Sequence, residues 1–304
     1  MRALVTGATG LVGTALLSRL TQPVVLSRNA ATAAAALGRN DARVIAWDPQ
    51  RDPAPAEAFA GVEVVFHLAG ESVAQGRWTA DKKARIRDSR VLGTRNLVAG
   101  LARLQSPPRV LVSASAVGFY GDRGDQVLDE AAGPGSDFLA EVSVAWEREA
   151  QAATAAGIRV VCPRIGIVLS RRGGALPKML PPFRCGLGSP LGSGRQWMPW
   201  IHVDDLVGLL LLAAERSDLH GPLNATAPQP ATNREFTKAL GRAIGRPTFL
   251  PAVPAAVLRL TLGEFAGVLL ASTRAIPRRA EAAGYAFEHP DLQEALAGLV
   301  FDQR

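Results

Sequence analysis

Short apolar runs alternate with stretches of helical periodicity through the first half of the chain. The runs Arg2–Thr6, Val24–Ser27, Arg43–Trp47, Val62–Leu68, Arg109–Ser113 and Arg159–Arg164 read as strands. Leu11–Leu20, Ala30–Leu37, Ala80–Leu104 and Phe138–Ala156, lying between them, read as helices. Segments such as Val62-Glu63-Val64-Val65-Phe66 are apolar at nearly every position rather than at every second one. That marks strands covered on both faces. Strands separated by helices form a parallel sheet with right-handed crossovers. The expected fold is α/β, a doubly wound parallel sheet. Ligands in such sheets bind beyond the carboxyl ends of the strands, so the residues following each strand carry the chemistry.

From Arg171 the pattern breaks. Gly173-Gly174, Pro181-Pro182, Gly186, Gly188, Gly192 and Gly194 punctuate a segment to Trp200 that reads as irregular and functional. Helices return at Asp204–Arg216, Asn233–Ile244, Ala255–Leu270 and Asp291–Leu299. The Ala255–Leu270 helix is apolar around much of its surface and reads as a packed or subunit-contact helix, which makes a homodimer the expected assembly. The expected division is a nucleotide-binding domain over 1–170, with 201–228 returning to it. The stretches 171–200 and 229–304 would form a smaller C-terminal α/β substrate part.

Composition adds exclusions. The chain has 304 residues, 48% hydrophobic and 20% charged, as in ordinary globular proteins with a large core. No run approaches the roughly 18 apolar residues of a membrane span, and the N-terminus lacks an uninterrupted apolar leader. Cys162 and Cys185 make neither a disulfide framework nor a zinc signature. A cytoplasmic protein without a membrane partner is expected. The net charge of +7 suggests nucleic acid, but the 34 basic residues are scattered and lack interleaved aromatics. The expected partner is therefore a small molecule and not nucleic acid.

The strongest chemical signal is Thr6-Gly7-Ala8-Thr9-Gly10-Leu11-Val12-Gly13, set between the first strand and the first helix. Glycine there permits positive φ and lets backbone N–H groups approach a diphosphate at the helix start. Thr6, Gly7, Thr9, Gly10, Leu11 and Val12 are thus candidate cofactor contacts. The second strand ends Leu26-Ser27-Arg28-Asn29, without the carboxylate that would hold a ribose 2′-hydroxyl. Arg28 suits a 2′-phosphate instead, which points to NADP(H). Otherwise Arg28 is one more surface arginine.

Taken together, these segments resemble the extended short-chain dehydrogenases/reductases, and more narrowly their atypical epimerase-family branch. The resemblance rests on the glycine turn, His67-Leu68-Ala69-Gly70-Glu71-Ser72-Val73, Arg77-Trp78-Thr79 and Gly93-Thr94. Further marks are Ser113-Ala114-Ser115-Ala116-Val117-Gly118-Phe119-Tyr120-Gly121, Asp137-Phe138-Leu139-Ala140, Trp146-Glu147 and Pro163-Arg164-Ile165-Gly166. Ile201-His202-Val203-Asp204-Asp205 and the tail from Gly221 complete it. It implies a Rossmann-type domain, NADP(H) as nucleotide, and Leu68, Ala69, Gly70 and Arg164 on the cofactor side. It implies no particular reaction.

The superfamily's Tyr-x-x-x-Lys pair is missing. The two tyrosines, Tyr120 and Tyr285, are followed four positions later by Gly124 and His289. Aligned through Glu147, the pair falls on Leu139 and Ser143, and the superfamily's helix asparagine is Arg90. The remaining candidates for catalysis are Ser115 as a substrate-orienting hydroxyl, with Glu71, Tyr120 or His202 for proton transfer. Each has a plain alternative: a local backbone bond for Ser115, a cap or ion pair for Glu71, core packing for Tyr120 and a structural role for His202. Asp204 and Asp205 read as the cap of the following helix. Arg90 is either an anion contact or an ion-pair partner. No metal spacing is visible among His67, His202, His220 and His289. Two functions fit: an NADP(H)-binding, epimerase-like oxidoreductase on a small carbonyl, hydroxyl or sugar-type substrate, or a non-catalytic NADP(H) sensor or scaffold, linked to cell division in some relatives.

Overall fold

The structure, a computed structural model, describes residues 1–301. Strands β1 (Ala3–Thr6), β2 (Val24–Ser27), β3 (Arg43–Ala46), β4 (Val64–His67) and β5 (Val110–Ser113) lie in one eight-stranded sheet. Ser115–Ala116, Arg159–Ile165 and Gly221–Ala225 complete it. The order is Gly221–Ala225, Arg159–Ile165, β5, β4, β1, β2, β3, and every pairing is parallel. The chain winds outward in both directions from β1 and β4. Their carboxyl ends, in register at Thr6 and His67, flank the topological switch point.

Alternate residues of each strand face opposite layers. Ala3, Val5 and Phe66 pack with Leu16 of α1 (Leu11–Leu17) and Leu206 and Leu210 of α6 (Val203–Glu215). Leu4, Val65 and Leu111 pack on the other side with Leu97 and Leu101 of α3 (Ala80–Leu101). Helix α2 (Ala30–Leu37) follows β2, and α4 (Phe138–Gln151) packs against α3.

The punctuated segment is not wholly irregular. Leu176–Arg184 forms α5, with Pro177 in its first turn, where a missing N–H costs nothing. Leu176 and Phe183, two turns apart, are its buried residues. Helix α7 (Asn233–Ala243) begins at a reciprocal cap between Thr232 and Glu235 and packs against α11 (Leu292–Phe301). The single helix expected over Ala255–Leu270 is two: α8 (Ala255–Leu262) and α9 (Phe265–Leu270), broken at Gly263 with φ +62°. Much of α8 is uncovered. A short α10 (Arg278–Ala282) follows. Positions 302–304 of the expected C-terminal part lie outside the described residues.

Candidate functional site

The crevice at the switch point is built by Thr6 and the turn that follows it. Thr6 Oγ1 accepts from the amides of Leu68 and Ala69 at 3.2 Å each and contacts His67 Nδ1 at 2.7 Å. With both lone pairs engaged, the hydroxyl hydrogen goes to Nδ1. The ring proton therefore sits on Nε2, which donates to Thr94 Oγ1 at 3.0 Å. Burial pushes His67 down to about 4, so it is a neutral brace tying β1, β4 and α3 together. Gly7 has φ +70°, and a Cβ there would stand 2.7 Å from the Leu68 carbonyl carbon. The turn can approach β4 only without a side chain. Gly10 precedes α1 and no side chain caps that helix among the described residues, so its first N–H groups are open to a ligand. Thr9 and Gly10 are exposed, and Leu11 and Val12 half-buried. Gly174 lies close against Leu11, which brings the loop after Leu169 onto the turn.

Glu71 stands just beyond Gly70 at the same mouth. Its Oε1 accepts from Lys82 Nζ at 2.6 Å, and the Lys82 side chain is only 5% exposed against 34% for Glu71. The Lys82 hydrogen bond holds the Glu71 carboxyl below its ordinary range, aided by the charges of Arg85 and Arg28, while partial burial opposes this. Arg28, exposed at the end of β2, and Glu71 are thus electrostatic neighbours across the crevice. Arg90 donates to the carbonyls of Glu71 at 3.0 Å and Ile86 at 3.1 Å, and its guanidinium lies over Trp146. Burial brings it down to about 10, still cationic at neutral pH.

A second network runs behind β5. Ser115 donates to Glu147 Oε1 at 2.7 Å, and Arg164 closes a two-pronged ion pair on Glu147 at 2.8 and 2.9 Å. Arg164 also donates to the Tyr120 hydroxyl at 3.0 Å, and Tyr120 donates to Asn224 Oδ1 at 2.7 Å. Asn224 reaches Glu130 through its amide and the carbonyls of Leu128 and Ile276 through its side chain. Tyr120 is fully buried, and burial raises its phenol above the ordinary range. Its hydrogen-bonding capacity is used inside the protein. Glu130 is likewise raised by burial, and its Oε2 has no partner among the described residues. Ser113, two residues before Ser115, is buried, and its Oγ has no partner among the described residues.

His202 forms a third cluster. Its Nδ1 accepts the Asp204 amide at 3.2 Å, so His202 caps α6, and its ring stacks on His289 with centroids 3.8 Å apart. Burial, then the neighbouring His289, lower it to about 4. Asp205 accepts from the amides of Glu288 and His289, fastening the tail to α6. Ligand-type atoms of His202, Asp204 and His289 lie within 4.8 Å of one another, a grouping that linear spacing conceals.

The structure therefore gathers Glu71, Arg28, Gly70 and the glycine turn at one mouth. Ser115, Tyr120 and Arg164 join through Glu147, while His202 shares no hydrogen bond or ion pair with the other candidates among the described residues. Lys82 has no motif around it that marks it in the sequence. Its signal was the separation of 11 positions from Glu71, which carries no periodic meaning across a loop. Leu139 and Ser143, in place of the missing pair, are half-buried and buried.

Comparisons with known proteins agree with this geometry. Residues 3–225 match the NAD dependent epimerase/dehydratase family, and 253–299 match a domain of unknown function, DUF1731. An epimerase family protein of Mycobacterium tuberculosis is 41% identical over 96% of this chain and 95% of its own. YfhF of Bacillus subtilis is 35% identical over 100% and 99%. The crystal structure of human epimerase family protein SDR39U1 with NADPH superposes with TM-score 0.87 at 34% identity, covering 99% of this chain and 100% of that one. A nucleoside-diphosphate sugar epimerase from Corynebacterium glutamicum gives TM-score 0.79 at 33% identity, over 99% of this chain and 58% of that one. With the parallel sheet, the glycine turn and the tail all accounted for, the chain belongs to the NAD-dependent epimerase/dehydratase family.

Proposed function

We propose that this protein is an NADP(H)-dependent, epimerase-like oxidoreductase acting on a small sugar-type substrate at a carbonyl or hydroxyl carbon. Bound nicotinamide would supply or accept the hydride. The residues at the switch point fit the nucleotide: Gly7 leaves a cradle that a Cβ would fill, and the start of α1 offers uncapped N–H groups. Thr6, Thr9, Gly10, Leu11, Val12, Leu68, Ala69 and Gly70 would line this contact, and Arg28 would pair with a 2′-phosphate. Residues 1–170 and 201–228 hold the nucleotide in this reading, and 171–200 with 229–301 form the substrate side. Arg164 acts through Glu147, setting the orientation of Ser115, whose oxygen can still accept from a substrate hydroxyl.

The observation that carries the catalytic reading is the Glu71–Lys82 couple at the mouth. The Lys82 pair keeps the Glu71 carboxylate ionised at the mouth, where its oxygens can accept from a substrate hydroxyl. Because the same pair weakens it as a base, proton transfer relies on its position and on loosening of the Lys82 contact as substrate binds. Tyr120, enclosed by Arg164 and Asn224, serves as a brace in this scheme, and His202 as a cap.

Turnover on a panel of carbonyl compounds and sugar nucleotides, followed by nicotinamide absorbance, tests it. Glu71→Gln is expected to lower kcat about 100-fold or more. Lys82→Met removes the bond that depresses the Glu71 carboxyl and leaves the burial that raises it, so the acid limb of the rate profile moves to higher pH. An unmoved limb would remove Glu71 as the base, and tight NADPH binding without turnover would favour a non-catalytic holder.

A further inference from the structure

The positive charge of the chain is unevenly placed. From Ala150 to Val203 there is no carboxylate, while Arg171, Arg172, Lys178, Arg184 and Arg195 fall between positions 171 and 195 of that interval. From Phe236 to Gly263 there is again none, against Lys238, Arg242, Arg246 and Arg259. The fold joins these stretches. Leu191 bridges to Val253, the Val253 amide donates to the Pro190 carbonyl at 2.8 Å, and the Gly192 amide to the Val253 carbonyl at 2.9 Å.

Large apolar side chains are exposed on the same two stretches. Leu187 is 60% exposed, Phe249 79%, Val257 46% and Leu260 80%. Leu187 precedes the bridged segment on one side, and Phe249 leads into it on the other. Val257 and Leu260 are neighbours on the outer face of α8, whose opposite face buries Leu258. Arg184, Arg246 and Arg259 are exposed and form no ion pair among the described residues.

An uncovered apolar face bordered by cations, with the nearest carboxylate in sequence, Glu264 just past α8, paired to Lys83, complements an anionic bilayer surface. Guanidinium groups meet lipid phosphates while the apolar side chains enter the headgroup boundary. A second copy of this chain would set like charge against like charge across a two-fold axis. Stacking on nucleic-acid bases needs a row of aromatics, and this face offers Phe249 alone. Among the described residues no helix is long and apolar enough to cross a membrane, and a contact of this kind is peripheral. We infer that α8, together with the Leu187 and Phe249 loops, docks this protein onto an anionic lipid surface. This departs from the expectation, drawn from composition, of no membrane partner.

Cosedimentation of the whole protein with vesicles tests the inference. Vesicles of phosphatidylcholine containing about one-third phosphatidylglycerol should retain the protein at low salt at least about tenfold more strongly than phosphatidylcholine alone. The double variant Phe249→Ser/Leu260→Ser and the single variant Arg246→Glu should each weaken retention about tenfold, with thermal stability and NADPH affinity unchanged. Failure to sediment with anionic vesicles would overturn the inference, whether or not the face then proves to hold an acidic protein. Unaltered retention of both variants would overturn it as well.

Discussion

Arg164→Leu is expected to lower the free energy of unfolding by about 3–5 kcal/mol, measured by urea denaturation. Arg164 is 4% exposed and closes on Glu147, itself 13% exposed, through two hydrogen bonds. Removing the guanidinium strands a buried carboxylate and deprives the Tyr120 hydroxyl of a donor. The double variant Arg164→Leu/Glu147→Leu should recover much of the loss, because the cost lies in the unpaired charge rather than in the absence of the pair. A single variant as stable as the parent would show that the network contributes nothing. Ser115 loses its partner in the double variant, so restored stability with impaired turnover would separate bracing from substrate orientation.

Gly7→Ala is expected to weaken NADPH binding about 100-fold, roughly 3 kcal/mol. Part of the cost is conformational, since a non-glycine residue at φ +70° loses about 1–2 kcal/mol. The larger part is displacement. The new Cβ meets the Leu68 carbonyl carbon and the Ala69 amide, so the turn must move off β4. Both Thr6 bonds that set the crevice lie at that contact. The measurement is NADPH titration at a temperature where the variant remains folded, checked by circular dichroism. Undiminished affinity would mean that the nucleotide rests elsewhere.

Much of this architecture is legible in the chain because its strands are apolar at consecutive positions. Val64-Val65-Phe66 and Val110-Leu111-Val112 have no exposed face in the sheet, and their pattern could not serve a half-solvated strand. The glycine turn is equally legible, since its backbone requirement is local. Helix α5 is hidden because glycines flank it and Pro181-Pro182 lie inside it, while its anchors Leu176 and Phe183 are only two residues. The break between α8 and α9 rests on one glycine inside a run whose apolar periodicity continues. Contacts made by tertiary folding carried no linear trace. Tyr120 meets Asn224 across 104 positions, and the His202 and His289 rings meet because Asp205 fastens the tail to α6. Arg90 is the intermediate case: the sequence left it between an anion contact and an ion pair. Both its bonds go instead to main-chain carbonyls beneath Gly70.

Everything proposed for the site depends on a phosphorylated dinucleotide lying at the carboxyl ends of β1, β2 and β4. Isothermal titration of the purified protein with NADPH and NADH tests this most directly, with Arg28→Ala alongside. One site per chain is expected for NADPH, at least about tenfold tighter than for NADH, and Arg28→Ala should erase that preference. Uptake of neither dinucleotide, or equal uptake of both by the parent protein and the variant, would contradict it.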